Sequence, residues 1–462
     1  MKHWSAQRVA GSAGAELLRE PEEGRAAGGP ARAVIDSRAV APGDLFVGVR
    51  GDQVDGGAFA AEALAAGAWG VLVAPHWTQE LLDDNVGPGA VIASEMPVPS
   101  LGALARAWRQ DLAAHVIAVT GSVGKTTTKD LIAAMVAPHR AVAASRENYN
   151  TEIGLPLELL AAPAGTEVLV LELAMRGFGQ IAELVAICEP DVGVITNIGP
   201  VHLEQMGSLE GVAMAKGELL EGMRDGATAV IPSDEPLLEP FLRDALTVVT
   251  FGPGGDVAYE GSSLKSGVVP DALPQRHVVV AKDDRIELEL PFDQRHNLLN
   301  ALAAVAAARA IGVQPGGRID VRFSSMRGER VALGIGALVI NDCYNANPLS
   351  MRAALDDLTA QQPEGRRVAV LGDMLELGPA ERDHHREIGA YAASAGVDLL
   401  VTVGPRAAAM LETFDGEAQA TRDAQEAAAL MPELLQAGDL VLVKGSRGVG
   451  LEIVTQALEQ GD

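Results

Sequence analysis

Short apolar runs rich in valine, leucine and isoleucine recur along this chain, with amphipathic stretches of helical period between them. Through the middle of the sequence these runs are His115–Thr120, Ala141–Ala144, Val168–Leu173, Val192–Asn197, Ala227–Ile231 and Thr247–Phe251. Strands alternating with helices predict a mostly parallel sheet covered by helices on both faces. Residues 255–292 break the rhythm. There Val278–Ala281 and Arg285–Leu290, on either side of Lys282-Asp283-Asp284, read as an antiparallel hairpin at a sheet edge. A helix over Asn297–Ile311 follows, and Gly312–Gly317 (GVQPGG) reads as a linker. Beyond it, strands at Ala337–Asn341, Arg367–Leu371, Leu399–Val403 and Leu440–Lys444 alternate with helices at Pro348–Gln361, Ala380–Ala395 and Gly448–Glu459. Near the start, the turn Pro42-Gly43-Asp44 precedes a strand at Leu45–Val49, and a short helix at Ala58–Gly67 precedes a strand at Val71–Ala74. Pro97 and Pro99 interrupt the chain, and Ser100 is placed to cap a helix running toward His115. The pattern therefore predicts an α/β protein of three domains: a small N-terminal α/β domain over 1–98, a central domain over 99–315 and a C-terminal Rossmann-like domain over 316–462. Its length of 462 residues agrees, at roughly 150 residues per domain.

Composition narrows the class. Aromatic residues make up only 3% of the chain, so the cores must be built from aliphatic side chains. Two cysteines, Cys188 and Cys343, both in apolar surroundings, exclude a disulfide framework and read as buried thiols. The N-terminal stretch lacks an apolar signal region, and no run reaches the roughly 18 uncharged apolar residues of a membrane span. A soluble cytoplasmic protein without membrane insertion is expected. The net charge of −26 argues against nucleic acid or an anionic membrane as partner.

That charge sharpens the main chemical signal, HVIAVTGSVGKTTTKDLIAAMVAP over 115–138. An apolar strand runs into the glycine-bearing turn Gly121-Ser122-Val123-Gly124, and Lys125-Thr126-Thr127-Thr128 open a helix. Strand, glycine loop and helix start form the layout of a phosphate-binding loop, which makes the central domain a P-loop-type unit. Glycines let backbone N–H groups turn inward, and the helix start adds free donors. Lys125 supplies a point charge for the phosphates, and the Thr126 hydroxyl faces a magnesium ion. The common motif would have a glycine where Val119 stands, so this is the shorter form T-G-x-x-G-K-T. An acidic chain that binds a polyphosphate must gather positive charge locally, so Mg²⁺ is expected with it.

Ligands of open α/β sheets bind beyond the carboxyl ends of strands. Glu172 ends the strand VLVLEL, Asn197 ends VGVITN, His202 lies in the loop beyond, and Lys216 sits on the next helix. A charged residue in an apolar run needs a partner or an ion. Taken singly, each also has a plainer reading: a salt-bridged carboxylate, a loop histidine bonded to backbone, a solvated lysine. Together with Thr126, Glu172 and His202 are suited to hold a hard cation. Two more polar clusters follow strands, Asn341–Pro348 (NDCYNANP) and Lys444–Gly448 (KGSRG). The first reads either as a ligand loop or as a helix-capping turn. Asp36-Ser37-Arg38 reads as a polar turn or an anion contact.

Taken as a set, these segments resemble the Mur ligases. The resemblance runs through DSR-x3-PGDLFV-x2-RG (36–51), TGSVGKTTTK (120–129), NYNTEIGLPL (148–157), LELAMRGFGQIAEL (171–184), TNIGPVHLEQMGSLEGVAMAKGEL (196–219), HNLLNALAA (296–304), INDCYNANPLSM (340–351), LGDMLELG (371–378) and VLVKGSRGVGLE (441–452). It implies a first domain that binds a UDP-linked acceptor, a second that binds ATP and a third that brings the amine. It places Thr120, Gly121, Ser122, Val123, Gly124, Lys125, Thr126 and Thr127 at the ATP phosphates. It matches Asn297 to an adenine contact, and Arg330 and Asp342 to groups the third domain adds on closure. It implies magnesium ligation by Thr126, Glu172 and His202, joined by Lys216 if that lysine is carbamylated. Lys125, His202 and Lys216 are then the catalytic groups. Ser37 and Arg38 fall in the uridine motif. Asn148, Asn150 and Thr151 face the acceptor, and Tyr344, Asn345 and Asn347 complete the substrate contacts.

The sequence departs from the family pattern at Thr151, Cys343 and Ala174–Phe178. The chemistry implied is ATP-dependent joining of D-alanyl-D-alanine to UDP-MurNAc-tripeptide through an acyl phosphate, by a monomer. A sibling ligase for the preceding diamino acid would carry Asp-Asn-Pro-Arg, where this chain has LGDMLELG. A nucleotide-driven switch is the alternative from another class.

Overall fold

The computed structural model describes residues 1–462 apart from 23–27, 83–85, 147, 261–274, 283, 293, 322, 324–325, 327 and 461–462. Asp283 of the expected hairpin turn thus lies outside the described residues. Three sheets follow one another along the chain. The first contains β1 (Glu16–Arg19), β2 (Ala33–Val34), β3 (Leu45–Val47), β4 (Gly70–Val73) and β5 (Ala90–Ala93), in the order β1-β5-β4-β3-β2. Only β1 runs antiparallel to its neighbour.

The second sheet contains β6 (His115–Thr120), β7 (Val142–Ala144), β8 (Val168–Glu172), β9 (Val192–Ile195), β10 (Thr228–Pro232), β11 (Thr247–Phe251), β12 (Val257–Tyr259), β13 (Gln275–Ala281), β14 (Asp284–Leu290) and β15 (Gly317–Arg318). Their order is β15-β14-β13-β12-β11-β10-β9-β6-β8-β7. From β7 across to β12 the pairs are parallel, and β12, β13 and β14 pair antiparallel as the expected edge hairpin. After β6 the chain places β7 and β8 on one side and β9 on the other. Strand β6 is therefore the switch point, where a crevice opens beyond the strand ends.

The third sheet contains β16 (Glu329–Ala332), β17 (Leu338–Asn341), β18 (Arg367–Gly372), β19 (Leu399–Val403), β20 (Glu417–Thr421) and β21 (Leu440–Lys444), ordered β16-β17-β21-β18-β19-β20. All pairs but β16–β17 are parallel. Alternate residues of one strand enter opposite cores, as a doubly covered sheet requires. Ala369 and Leu371 join one cluster, and Val368 and Val370 the other.

Two local expectations change. Ser100 is not a cap: the helix begins at Pro97, and the buried Ser100 Oγ lies 2.7 Å from Ser94 Oγ. Proline fits that first turn because its missing N–H would have no helical acceptor there. The segment 312–317 is not a plain linker, since Gly317 pairs with Leu288 and Ile319 enters the core beneath the central sheet. Among the described residues no helix is long and apolar enough to cross a membrane.

The helix Pro97–Leu112 joins the first sheet to the second through one continuous apolar cluster that includes Leu72, Ile92, Leu101, Trp108 and Leu169. The N-terminal segment is pinned to this helix at Asp111. Its carboxylate accepts from Arg8 at 2.5 Å and from Trp4 Nε1 at 3.0 Å, with His3 Nε2 at 2.8 Å. Burial alone would raise the Asp111 pKa, but these hydrogen bonds prevail and bring it from 3.8 down to about 2. A carboxylate with a lowered folded-state pKa stabilises the fold above its ordinary value and loses that contribution as pH falls through the folded one. Asp111→Asn is therefore expected to cost about 1–2 kcal/mol at neutral pH and to flatten the acid limb of stability between pH 3.8 and about 2. Denaturant melts of both forms across that range check it.

Candidate active site

Strand β6 is buried almost throughout and delivers the chain to the glycine loop at the switch point. Gly121 and Gly124 have φ of +146° and +82°. A Cβ at Gly121 would stand 1.9 Å from Thr196 Oγ1, and one at Gly124 2.4 Å from Asn300 Oδ1. Both positions require glycine, on backbone angle and on space. The loop is clamped from β9. Asn197 Oδ1 accepts from Val123 N–H at 3.0 Å, its amide donates back to Val123 O at 3.0 Å, and Ser122 Oγ bonds Gly199. Lys125 Nζ lies over the loop, donating to Gly121 O at 2.9 Å.

Beneath the loop, Glu172 ends β8 and is 3% exposed. It accepts from Thr126 Oγ1 at 2.7 Å and from Asn150 Nδ2 at 3.0 Å. Both donors are neutral, and among the described residues no cation neutralises this carboxylate. Among those residues, too, no three His, Cys, Asp or Glu side chains converge as a ready cage for a metal. Glu172 and Thr126 offer the oxygen donors of a magnesium site, in which one or two carboxylates act together with substrate phosphates. The donor set of Glu172, Thr126 and His202 therefore fits the ion.

His202 stands beyond β9 in a left-handed conformation, φ +52°, with Nδ1 2.5 Å from Glu376 Oε2. Burial lowers its pKa, the Glu376 carboxylate opposes this, and the charges of Lys216 and Lys125 push it down again. Lys216 is enclosed in the helix Leu209–Gly222, and its pKa falls well below the ordinary value through burial first and the charge of Lys125 second.

A cavity of about 1480 Å³ opens between the carboxyl ends of the second and third sheets. Lys125, Thr126, Thr127, Asn148, Asn150, Thr151, Glu172, His202, Asn297, Arg330, Asp342, Tyr344, Asn345 and Asn347 line it, as do Ser122, Val123 and Gly124. Thr120, Gly121 and Lys216 lie behind its wall. Ser37 and Arg38 lie outside it, on a short turn of the first domain where Arg38 pairs with Asp36 at 2.8 Å.

Several polar groups serve the protein itself. Asn347 and Ser350 form a reciprocal capping box on the helix Pro348–Ala360, with Asn347 Oδ1 2.9 Å from Ser350 N. Lys444 is not a cation offered to a ligand: it is buried and donates to Asp342 Oδ2 at 2.6 Å and to Asn345 O at 2.9 Å. Burial pushes the Cys188 thiol up to about 12 and the Cys343 thiol up to about 11, so neither is a nucleophile. Sequence reasoning passed over Arg176, His296, Asn300 and Glu376, all on the cavity wall. His296 and Asn300 flank the singled-out Asn297, one of them a helical turn away. Nothing local marked Glu376, because its partner lies in another domain.

A phosphate loop at the switch point of one parallel sheet, faced by the strand ends of another, defines a nucleotide-dependent enzyme whose substrates meet between two domains. The Mur ligase middle domain matches residues 119–308, the Mur ligase glutamate ligase domain 326–447, and the Mur ligase family catalytic domain 33–99. The chain is 34% identical to the UDP-N-acetylmuramoyl-tripeptide–D-alanyl-D-alanine ligase of Bacillus subtilis, over 92% of each chain. Its identity to the protein of that name from Escherichia coli is 31%, over 92% of this chain and 93% of the other. Among solved structures, MurF from Acinetobacter baumannii superposes with a TM-score of 0.85 at 28% identity, covering 99% of both chains. MurF ligase from Thermotoga maritima in complex with ADP does so at 0.80 and 29%, over 93% of this chain and 97% of the other. The chain belongs to the Mur ligase family.

The Gly124 position is the sharpest test of the loop. Gly124→Ala meets both a left-handed backbone and the Asn300 amide. The strain, about 1–3 kcal/mol, is expected to weaken ATP binding by about tenfold or more with the fold intact. Nucleotide titration beside a thermal melt measures both.

Proposed function

We propose that this chain joins D-alanyl-D-alanine to UDP-N-acetylmuramoyl-tripeptide, converting ATP to ADP and phosphate, in cytoplasmic synthesis of peptidoglycan precursors. One observation carries this reading: the phosphate loop and the strand ends of the third sheet line a single cavity, in a chain related along nearly its whole length to ligases of that name. The solved relative with bound ADP supports the nucleotide. Residues 1–98 take the UDP part of the acceptor, 99–315 take ATP, and 316–462 contribute to ATP and to the dipeptide. Both co-substrates are small molecules, and a monomer suffices.

The acceptor carboxylate attacks the γ-phosphate of ATP, and an acyl phosphate forms with loss of ADP. The free amine of D-alanyl-D-alanine then attacks the acyl carbon, and phosphate leaves. Two anions must meet in the first step, so the protein's work is positioning and neutralisation. Lys125 and the N–H groups at the helix start hold the β- and γ-phosphates, with Ser122, Val123 and Thr127 beside them. Thr126, Glu172 and His202 would hold Mg²⁺, which when bound would supply charge neutralisation for the anionic substrates. Asn297 borders the adenine, and Arg330 and Asp342 complete the nucleotide site. Asn148, Asn150 and Thr151 orient the acceptor, Ser37 and Arg38 anchor its uridine, and Tyr344, Asn345 and Asn347 border the dipeptide.

Lys216 has the state that carbamylation needs. Burial first and the Lys125 charge second lower its pKa, which favours the neutral amine whose lone pair carbon dioxide would take. The new N–C bond releases a proton to water and leaves an anion that the Lys125 charge favours. Such a carboxylate-like group adds to the cation site.

Phosphate release with purified UDP-MurNAc-tripeptide, with and without D-alanyl-D-alanine, tests the reading, with mass analysis of the product. Release that requires the acceptor, and an amide product that requires both, is expected; release with neither marks a hydrolysing switch and overturns it. Lys125→Ala is expected to lose at least about 3 kcal/mol of transition-state stabilisation, seen as a fall in kcat of over about 100-fold. With ¹³C-labelled bicarbonate, a carbamate resonance that disappears in Lys216→Ala is expected.

A further inference from the structure

We infer that Glu376, contributed by the third domain, is the positioning residue that fixes the His202 ring at the cation site of the central domain, so that this site is complete only when the two domains are docked. The inference rests on the reading of His202 as a magnesium ligand. It adds a residue to which the sequence assigned no role.

Glu376 follows β18, and His202 follows β9, so the two meet across the cavity mouth. The Nδ1–Oε2 separation is 2.5 Å. Among the described residues the Glu376 carboxylate has no other ion-pair partner, and the His202 ring no other carboxylate. Both residues are in the left-handed region, His202 at φ +52° and Glu376 at φ +62°. Non-glycine residues hold that conformation only where their surroundings impose it. Here each loop supports the other. Glu204 N–H reaches Glu376 O at 3.4 Å, and a Cβ on Gly378 would lie 3.3 Å from Glu204 Cα, so the backbones are in close contact.

The chemical consequence follows from how imidazole binds cations. A ring nitrogen ligates through its lone pair, and the other nitrogen's hydrogen bond decides which tautomer and which orientation the ring takes. A carboxylate at Nδ1 holds the proton there and leaves Nε2 as the donor atom. The central domain supplies no such acceptor among the described residues. When the third domain leaves, His202 loses its orienting partner together with the contact that supports its backbone. ATP hydrolysis without the amine-bringing domain in place is thereby suppressed.

The experiment compares wild type with Glu376→Ala and Glu376→Gln. Glutamine keeps an oxygen that accepts from Nδ1–H but carries no charge. The Mg²⁺ concentration for half-maximal turnover is expected to rise about tenfold or more in Glu376→Ala and to return most of the way in Glu376→Gln. A second readout is independent of activity: ¹⁵N spectra of the His202 ring in the nucleotide-bound protein. Wild type and Glu376→Gln are expected to show one tautomer with the proton on Nδ1, and Glu376→Ala a mixture. Unchanged Mg²⁺ dependence and an unchanged ring signature in Glu376→Ala overturn the inference, as does a Gln variant as impaired as Ala in both. If wild type itself fails to ligate, the functional reading falls, and the ring spectra still decide the role of Glu376.

Discussion

Glu172 sits at the end of an apolar strand with its carboxylate held, among the described residues, by Thr126 Oγ1 and Asn150 Nδ2. A buried charge with neutral partners is costly to maintain, and a fold keeps one where a cation will share it. The rest of the site is arranged about that deficit. Lys125 lies over the adjacent loop, and Lys216 is buried within reach of the Lys125 charge. A chain of net charge −26 repels every anionic substrate it must bind. Concentrating lysine charge and one cation-seeking carboxylate in a single crevice reverses that repulsion locally.

The topology makes this concentration possible. In a parallel sheet all carboxyl ends, with the loops that follow them, lie on one edge. The second and third sheets turn those edges toward each other, so residues far apart in sequence line one cavity. Glu172, His202, Asp342 and Glu376 follow β8, β9, β17 and β18, respectively. A reaction that brings together a nucleotide, an acceptor and an amine gains from this kind of enclosure, because orientation within one cavity replaces chance encounter.

Much of this was legible in sequence, for identifiable reasons. Strands buried on both faces, such as Val168–Glu172 and Leu440–Lys444, are continuous apolar runs that no other element explains. The glycine loop announced itself because its backbone needs glycine at both 121 and 124. Edge strands were hidden. Glu417–Thr421 is polar because only its inner neighbour and one face are covered, and Glu16–Arg19 alternates too briefly to register. Ser100 matched a capping pattern, yet the prolines before it had already started the helix. Lys444 looked like a ligand-binding cation because the carboxylate that claims it, Asp342, is about a hundred residues away. Glu376 was invisible for the same reason. Pairings between domains leave no trace in local spacing.

The distribution of apolar surface explains how such a cavity can open and close. One cluster runs from the first sheet through the helix Pro97–Leu112 into the central sheet, so those two domains share a core. The clusters on either face of the third sheet are drawn from that domain alone. Apart from the first residues after the linker, where Ile319 packs into the central core, its contacts with the central domain include polar and single-side-chain ones such as His202 with Glu376 and Leu349 against Gly199. Separating a polar interface costs little apolar burial, whereas parting the first two domains would expose a core. The third sheet is therefore the one whose own cores stand apart from the rest. Because the third domain also supplies the partner of His202, its seating on the central domain and the orientation of the ring depend on one contact.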